Sequence, residues 1–169
     1  MVTVGRLEPQ KGYDRLIKIV DRLRKEKLVF QLKIIGEGPD RKQLEELIEK
    51  YEIQDIVTLL GFQSNPYKYI KASDLFVCSS RSEGLSTVVT EALILGIPVV
   101  ATDCSGMMEL LGDSEYGLVT QNTDESLFEG IKKMLSDESL RTYYRNKSEE
   151  RSGDFDIEKT MKEVEKLWQ

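Results

Sequence analysis

Residues 80–96 read SRSEGLSTVVTEALILG, a polar loop that leads directly into a mostly apolar helix. Glu83 stands in the loop, and Glu91 lies eight positions later, about two turns into the predicted helix. The first amides of a helix have no partner within it, so they can bind an anion. A carboxylate on each side can accept hydrogen bonds from hydroxyl groups. The stretch therefore predicts a site for an anion flanked by hydroxyls, which is the chemical layout of a nucleotide sugar.

The composition excludes several classes of protein. A chain of 169 residues is long enough for one domain with its own core. The net charge of -6 argues against a duplex nucleic-acid binder, and no apolar run approaches the roughly 20 residues of a membrane span. We expect no signal peptide, and the two cysteines fit a reducing cytosol. The absence of histidine removes Ser-His-Asp and Cys-His catalysis and nearly all catalytic zinc sites.

Strand-like runs alternate with helical stripes along the chain. Apolar residues at Tyr13, Leu16, Ile17, Val20 and Leu23 follow the spacing of a surface helix. Parallel strands need crossover helices, so this alternation predicts an α/β fold, a three-layer Rossmann-like doubly wound parallel sheet of about six strands with carboxyl-terminal helices. The predicted strands are Val2 to Val4, Phe30 to Ile35, Ile56 to Leu60, Leu75 to Cys78, Gly96 to Ala101 and Tyr116 to Thr120.

Polar loops follow the predicted strands, and ligands of such sheets bind at the carboxyl ends of the strands. Arg6 and Lys11 flank the loop after the first strand, at the same edge as Glu83. Two cations there can neutralise a diphosphate, the arginine through its planar fork and the lysine as a compact charge. Taken alone, the two residues also fit an ordinary solvated surface.

Other nucleotide and hydrolase motifs are incomplete. Gly36-Glu37-Gly38 begins like a dinucleotide fingerprint, but Arg41 stands where the third glycine belongs. No glycine is followed by lysine and then serine or threonine, so a P-loop is absent from the sequence. Gly84-Leu85-Ser86 starts like a nucleophile elbow, but the chain has no histidine to activate Ser86.

Four motifs in order along the chain carry a family resemblance. They are Gly5-Arg6-Leu7 with Lys11-Gly12, Gly36-Glu37-Gly38-Pro39, Glu83-Gly84-Leu85 with Glu91-Ala92, and Gly96-Ile97-Pro98-Val99-Val100-Ala101. The pattern closely resembles the carboxyl-terminal domain of retaining glycosyltransferases of the group 1 type, the fourth glycosyltransferase family, which have the GT-B fold. The resemblance covers about residues 2 to 140, and its paired-glutamate loop is fairly specific.

The resemblance implies roles for the phosphate-binding residues. Arg6 and Lys11 would hold the donor diphosphate and stabilise the charge that develops as it leaves. The loop amides from Gly84 to Thr87, which include those of Leu85 and Ser86, would assist at the phosphates. Many members have a glycine or an aromatic residue just after the Glu-Gly pair, and this chain departs from them with Leu85-Ser86-Thr87.

The resemblance also implies roles around the sugars and the base. Glu83 would accept hydrogen bonds from hydroxyls of the transferred sugar, and Glu91 would hold the ribose hydroxyls. Gly61 and Phe62 would lie near the base, and Gly5 and Gly36 are assigned to the donor site as well. In family members the sugar passes from a nucleotide diphosphate sugar to an acceptor hydroxyl with retention at the anomeric carbon, and no metal or other cofactor is expected.

The family places its acceptor site in a separate amino-terminal domain, which these 169 residues do not contain. We therefore expect residues 1–169 to form a single nucleotide-sugar-binding domain, inactive alone, with residues 154–169 as a crossover helix. Its apolar stripe is Ile157, Met161, Val164 and Trp168. The implied acceptor is a glycan or glycolipid of cell-surface polysaccharide or glycolipid synthesis, at the cytoplasmic side of the membrane. The alternatives are a non-catalytic nucleotide-sugar-binding module and a GT-B nucleotide-sugar epimerase.

Overall fold

Six parallel strands form one sheet in the computed structural model, which describes residues 1–155. Their order across the sheet is β3-β2-β1-β4-β5-β6. The strands are β1 (Val2–Val4), β2 (Leu32–Ile35), β3 (Val57–Gly61), β4 (Phe76–Cys78), β5 (Val99–Thr102) and β6 (Leu118–Thr120). Each predicted strand is present, and the predicted parallel α/β sheet is confirmed.

Helices connect the strands and follow the last one. They are α1 (Tyr13–Lys25), α2 (Arg41–Lys50), α3 (Tyr67–Lys71), α4 (Thr87–Ile94), α5 (Met107–Leu111), α6 (Asp124–Ser136) and α7 (Glu138–Ser152), with short 3-10 turns at Pro9–Lys11 and Gly153–Phe155. Within residues 1–155, none of these helices is long and apolar enough to cross a membrane.

Two apolar clusters lie on opposite faces of the sheet, as a three-layer fold requires. On one face, Leu16 of α1 and Ile131 of α6 pack with Val77 and Val100 of the central strands. On the other face, Leu93 of α4 packs with the alternate residues of the same strands, such as Phe76 and Val99. Strand side chains alternate between faces, so a strand buried on both sides reads as a continuous apolar run. Such burial stabilises the fold by about 1.5–3 kcal/mol for each large aliphatic side chain.

The fifth strand starts later than the sequence pattern suggests. We predicted a strand from Gly96 to Ala101, whereas β5 begins at Val99. Gly96 has a φ of 69° and donates its amide to Leu93 O at 2.9 Å, while the amide of Ile97 bonds to Ala92 O at 3.0 Å. These bonds close the end of α4, which a glycine in the left-handed region commonly does. Gly96 and Ile97 therefore belong to the helix cap.

The order of the strands reverses beside β1. This strand pairs with β2 on one side and with β4 on the other, with Val2 aligned to Lys33 and to Phe76. The connections from β1 and β4 therefore run to opposite halves of the sheet. This leaves a crevice outside the carboxyl ends of these two strands, where doubly wound sheets bind their ligands.

The last described helix packs back onto the centre of the fold. Ser148 of α7 donates its hydroxyl to Ile97 O at 3.1 Å. Arg151 donates to Glu109 O at 2.6 Å and to Leu110 O at 3.1 Å, at the end of α5. These bonds hold α7 against α4 and α5. The predicted apolar stripe of residues 157–168 lies outside the described residues, as does nearly all of the predicted crossover helix.

Candidate functional site

The predicted site residues lie at the carboxyl edge of the sheet, in the strand-end loops and in α4. Gly36 brings two of these loops into contact, because a Cβ there would overlap with Gly5 O. Its φ of 142° is also one that residues other than glycine rarely adopt. Gly5 donates its amide to Ile35 O at 2.9 Å. The backbone beyond β1 therefore passes directly over the end of β2, and only glycine fits at residue 36.

Lys11 and Glu83 meet across the crevice between β1 and β4. Lys11 Nζ lies 2.6 Å from Glu83 Oε1, and both side chains are mostly buried, with exposed fractions of 18% and 10%. Ser80 donates its hydroxyl to the same carboxylate oxygen at 2.6 Å. The structure thus brings together one predicted phosphate-binding cation and one predicted sugar-binding carboxylate, joined through two different loops.

The second predicted cation, Arg6, lies apart from this pair. Its ion pair is with Glu8, at 2.9 Å, and its side chain is 70% exposed. Exposed ion pairs contribute about 0–1 kcal/mol, so Arg6 can exchange Glu8 for another anion at little cost. Arg6 lies in the loop after β1, and the ion pair that the structure shows for it is with Glu8 rather than Glu83.

The start of α4 offers amides without a side-chain cap. Ser86 is the N-cap residue, yet its buried hydroxyl makes no hydrogen bond to any group of residues 1–155. Gly84 is open, because a Cβ there would have no described atom within 4 Å, and Leu85 is 63% exposed. Gly106 packs closely against this loop, because a Cβ at residue 106 would lie 2.8 Å from Gly84 O. The first turn of α4, which begins at Thr87, therefore has amides without a side-chain cap, and its Val88 lines the same hollow as Lys11 and Glu83.

Glu91 has a partner that the sequence did not predict. Tyr67, at the start of α3, donates its hydroxyl to Glu91 Oε1 at 3.3 Å. The negative charge of Glu91 raises the pKa of Tyr67, which keeps the phenol protonated as a donor. Phe62, which follows Gly61 at the end of β3, is 76% exposed. The structure therefore joins the carboxylate of Glu91 to the phenol of Tyr67, and it leaves the ring of Phe62 exposed.

The loop that carries Glu83 is clamped to the beginning of α1. Arg81 binds Asp14 through both terminal nitrogens, at 2.7 and 2.9 Å, and also donates to Pro9 O at 2.7 Å. Burial opposes ionisation of Asp14, but the hydrogen bonds and charge of Arg81 outweigh it and lower the pKa of that carboxyl. Neither residue was predicted, because charged residues on a helix and in a loop resemble ordinary surface positions.

Cys78 lies beneath the same loop. Burial raises the pKa of its thiol to about 11, and its sulfur lies 3.6 Å from Ser80 Oγ. A thiol with so high a pKa stays protonated near neutral pH and is a poor nucleophile. Cys78 therefore acts as core packing under the site rather than as a reactive group.

A larger cavity, of about 590 Å³, lies at the opposite edge of the sheet. Met1, Phe30, Lys33 and Asp74 are among its lining residues. This edge holds the amino ends of the strands, and ligands of open parallel sheets bind at the other end. The chemistry that the sequence predicts therefore belongs to the carboxyl edge, although the hollow beside Lys11 and Glu83 is much smaller.

The sequence of this domain matches a known protein family. Residues 1–151 match the family model of glycosyl transferases group 1. The chain belongs to the group 1 glycosyl transferases. The predicted family is therefore confirmed, and with it the assignment to the carboxyl-terminal domain of a GT-B protein.

Individual group 1 relatives cover nearly all of this chain. The N-acetylgalactosamine-N,N'-diacetylbacillosaminyl-diphospho-undecaprenol 4-alpha-N-acetylgalactosaminyltransferase of Campylobacter jejuni is 40% identical over 158 residues, which are 92% of this chain and 42% of that protein. An uncharacterized glycosyltransferase of Methanocaldococcus jannaschii is 37% identical, over 96% of this chain and 47% of that protein. The chain thus spans less than half the length of these two relatives.

Solved structures share the fold of this chain. The carboxyl-terminal domain of the Francisella tularensis group 1 protein LpcC has a TM-score of 0.82 at 22% identity, over 92% of this chain and 86% of that one. Anabaena HepE in complex with UDP has a TM-score of 0.86 at 22% identity, over 99% of this chain and 48% of that one. These likenesses establish the fold, and the roles of individual site residues remain predictions.

Proposed function

We propose that this domain binds the nucleotide diphosphate sugar donor of a retaining glycosyltransferase. The observation that carries the proposal is the ion pair of Lys11 and Glu83 at the point where the strand order reverses, beside the uncapped start of α4. A cation, a carboxylate and free helix amides at one crevice suit a ligand that has both phosphates and hydroxyls.

The phosphate half of the proposal rests on positive charge at the crevice. Lys11, held beside Glu83, would also contact the diphosphate, and the exposed Arg6 would exchange Glu8 for the same group. A departing nucleoside diphosphate gains negative charge in the transition state, so preorganised cations and amides lower the barrier. Each charge-assisted hydrogen bond contributes on the order of 1.5–3 kcal/mol. These groups would neutralise the leaving group without a resident metal ion.

The hydroxyl half of the proposal rests on the two glutamates. Glu83 would accept hydrogen bonds from the transferred sugar, and Glu91 from the ribose. Tyr67 already donates to Glu91, so it would orient that carboxylate beside the ribose. The exposed ring of Phe62 and the backbone at Gly61 would lie against the base.

The complete enzyme would transfer the sugar to an acceptor hydroxyl with retention at the anomeric carbon. The acceptor would be a glycan or glycolipid held by an amino-terminal domain, in cell-surface polysaccharide or glycolipid synthesis on the cytoplasmic side of the membrane. The name of the Campylobacter jejuni relative, a transferase acting on a diphospho-undecaprenol glycan, supports this class of acceptor. Since residues 1–169 span less than half of the relatives, we propose that they bind donor without transferring it.

Calorimetry and a transfer assay together test the proposal. UDP-glucose, UDP-N-acetylgalactosamine and GDP-mannose are titrated into residues 1–169, and the best binder is repeated with Arg6→Ala and Glu91→Ala. At least one probe should bind, and each substitution should weaken its binding by about tenfold or more. If both variants bound the donor as tightly as the parent does, the residue assignment would be wrong. Robust transfer from a radiolabelled donor by residues 1–169 alone would contradict the proposal that these residues lack activity.

A further inference from the structure

A buried arginine lies directly beneath the loop that carries Glu83. Arg15, on α1, is only 3% exposed. It donates from Nε to Ser79 O at 2.8 Å, and from Nη2 to Ser79 O at 2.5 Å and Ser80 O at 2.6 Å. Its remaining terminal nitrogen donates to Asn122 Oδ1 at 2.8 Å. A buried guanidinium needs many acceptors to offset its lost hydration, and here the acceptors are the backbone of one loop and one side chain.

Asn122, beyond the edge strand β6, also holds this loop in place. It follows β6, and its amide nitrogen donates to Arg81 O at 2.8 Å and to Cys104 Sγ at 3.3 Å. Together, Arg15 and Asn122 hold the carbonyls of three successive loop residues, Ser79, Ser80 and Arg81. Elements from both halves of the sheet therefore fix one short stretch of backbone.

Ser80 connects the hydrogen bonds of Arg15 to the predicted sugar-binding carboxylate, Glu83. Its carbonyl also accepts from Thr102 Oγ1 at 2.5 Å and from Cys104 Sγ at 3.1 Å, so the peptide has one orientation. Its hydroxyl donates to Glu83 Oε1 at 2.6 Å, the same oxygen that Lys11 contacts. The path from the guanidinium to the carboxylate thus runs through a single residue.

We infer that Arg15, together with Asn122, positions Glu83 for the transferred sugar. The inference rests on the proposed donor site and adds two residues to it that do not touch the donor. The planar fork makes four hydrogen bonds from three nitrogens to two neighbouring carbonyls and a side-chain amide, whereas an ammonium group has three donors on a single nitrogen. Loss of the fork should loosen residues 79–83 and with them Glu83, while Glu91 and Tyr67 keep their places on separate helices.

Three variants separate positioning from general stabilisation. Arg15→Lys keeps the charge and removes the fork. Asn122→Ala leaves Arg15 intact and removes its side-chain acceptor together with the donor to Arg81 O. The matched control is Arg22→Lys, on the same helix, because Arg22 pairs with Glu125 on α6 and does not touch the loop.

Hydrogen–deuterium exchange of the amides tests the loop directly, whatever the donor is. The amide of Arg81 donates to Gln10 O at 2.7 Å and should be protected in the parent. Both Arg15→Lys and Asn122→Ala should speed exchange in residues 79–83 by about tenfold, while the amides of α1 in these variants exchange at the parent's rate. In the control Arg22→Lys, residues 79–83 should also exchange at the parent's rate. Unchanged exchange in residues 79–83 of both variants would overturn the inference.

Calorimetry then tests the link to Glu83. UDP-glucose with UMP, and GDP-mannose with GMP, are titrated into the parent and the three variants. The Kd of the sugar nucleotide should rise about tenfold in Arg15→Lys and Asn122→Ala, and that of the monophosphate should stay within about twofold. Equal weakening of both probes would overturn the inference, because Arg15 would then act on the whole domain. If the parent binds no nucleotide sugar while the exchange result holds, the proposed function fails and the positioning of the loop stands.

Discussion

Glu83 Oε1 accepts from Lys11 Nζ and from Ser80 Oγ, each at 2.6 Å, so one carboxylate oxygen joins the loops after β1 and β4. The donor diphosphate and Glu83 would therefore share Lys11. This arrangement gives Glu83 two functions, since it would hold the lysine in the crevice and also accept from the sugar. The two functions can be separated by experiment.

Glu83→Gln should abolish discrimination between a nucleotide sugar and the bare nucleoside diphosphate. The amide keeps the shape of the side chain but no longer attracts Lys11 or accepts strongly from sugar hydroxyls. We expect UDP to bind at least as well as to the parent, and UDP-glucose to lose the advantage of its sugar, when both are measured by calorimetry. Glu46→Gln, an exposed change on α2, should preserve the parent's discrimination. A Glu83→Gln protein that still prefers the sugar nucleotide would contradict the role of Glu83.

Glu91→Ala should weaken nucleotide binding through the ribose hydroxyls. We expect a loss of about 1.5–3 kcal/mol with UDP and almost none with 2′,3′-dideoxy-UDP, which lacks the hydroxyls. Tyr67→Phe should cost less, because it removes only the phenol that orients Glu91. Competition binding with the two nucleotides gives all of these values. Equal losses with both nucleotides would mean that Glu91 does not contact the ribose.

The Arg81–Asp14 clamp should make stability depend on pH. The pKa of Asp14 is lowered in the folded chain, because Arg81 outweighs the opposing effect of burial. A lowered pKa stabilises the fold above the unfolded value, near 4, and this contribution is lost as pH falls through the folded value. Asp14→Asn should therefore cost about 0.5–1 kcal/mol at pH 7 and less at pH 3, measured by urea unfolding. In an Arg81→Met background the same substitution should show a smaller pH dependence, because only the Arg15 amide and Lys18 would still lower the pKa of Asp14. An undiminished pH dependence there would contradict the assignment.

Two glycines of the site should differ in their tolerance of a methyl group. Gly36→Ala combines a φ of 142° with a Cβ that overlaps Gly5 O, so the ends of β1 and β2 would have to separate. We expect it to lower the free energy of unfolding by at least about 1–3 kcal/mol. Gly84→Ala meets no atom of residues 1–155 within 4 Å and should change the stability by less than about 0.5 kcal/mol. Equal stability of the two variants in urea unfolding would contradict the close contact of the β1 and β2 loops.

Much of the fold was predictable, because it depends on local patterns. Continuous apolar runs such as Leu75 to Cys78 mark strands buried on both faces, and the stripe on α1 marks its buried side. The site was partly predictable for a geometric reason. Loops that follow parallel strands meet at one edge, so Lys11 and Glu83 could be expected to lie close together although 72 positions separate them.

The supporting contacts were not predictable from the same patterns. Arg15 stands beside the apolar stripe of α1, where an arginine ordinarily reaches solvent, and its partners Ser79 and Asn122 come from distant loops. Tyr67 and Glu91 belong to different helices, and only their packing shows that they touch. Such contacts depend on the relative placement of elements, which hydrophobic spacing does not encode. They therefore appear only once the tertiary structure is known.

We expect the donor to bind at the carboxyl edge of the sheet, between the loops after β1 and β4. Amide chemical-shift mapping of labelled residues 1–169 with the tightest-binding nucleotide sugar tests this location most directly. The largest shifts should fall in the loops after β1, β3 and β4 and in the first turn of α4, and Lys11→Ala should remove most of them. Shifts centred instead on Met1, Phe30 and Asp74, around the 590 Å³ cavity at the opposite edge, would contradict this location.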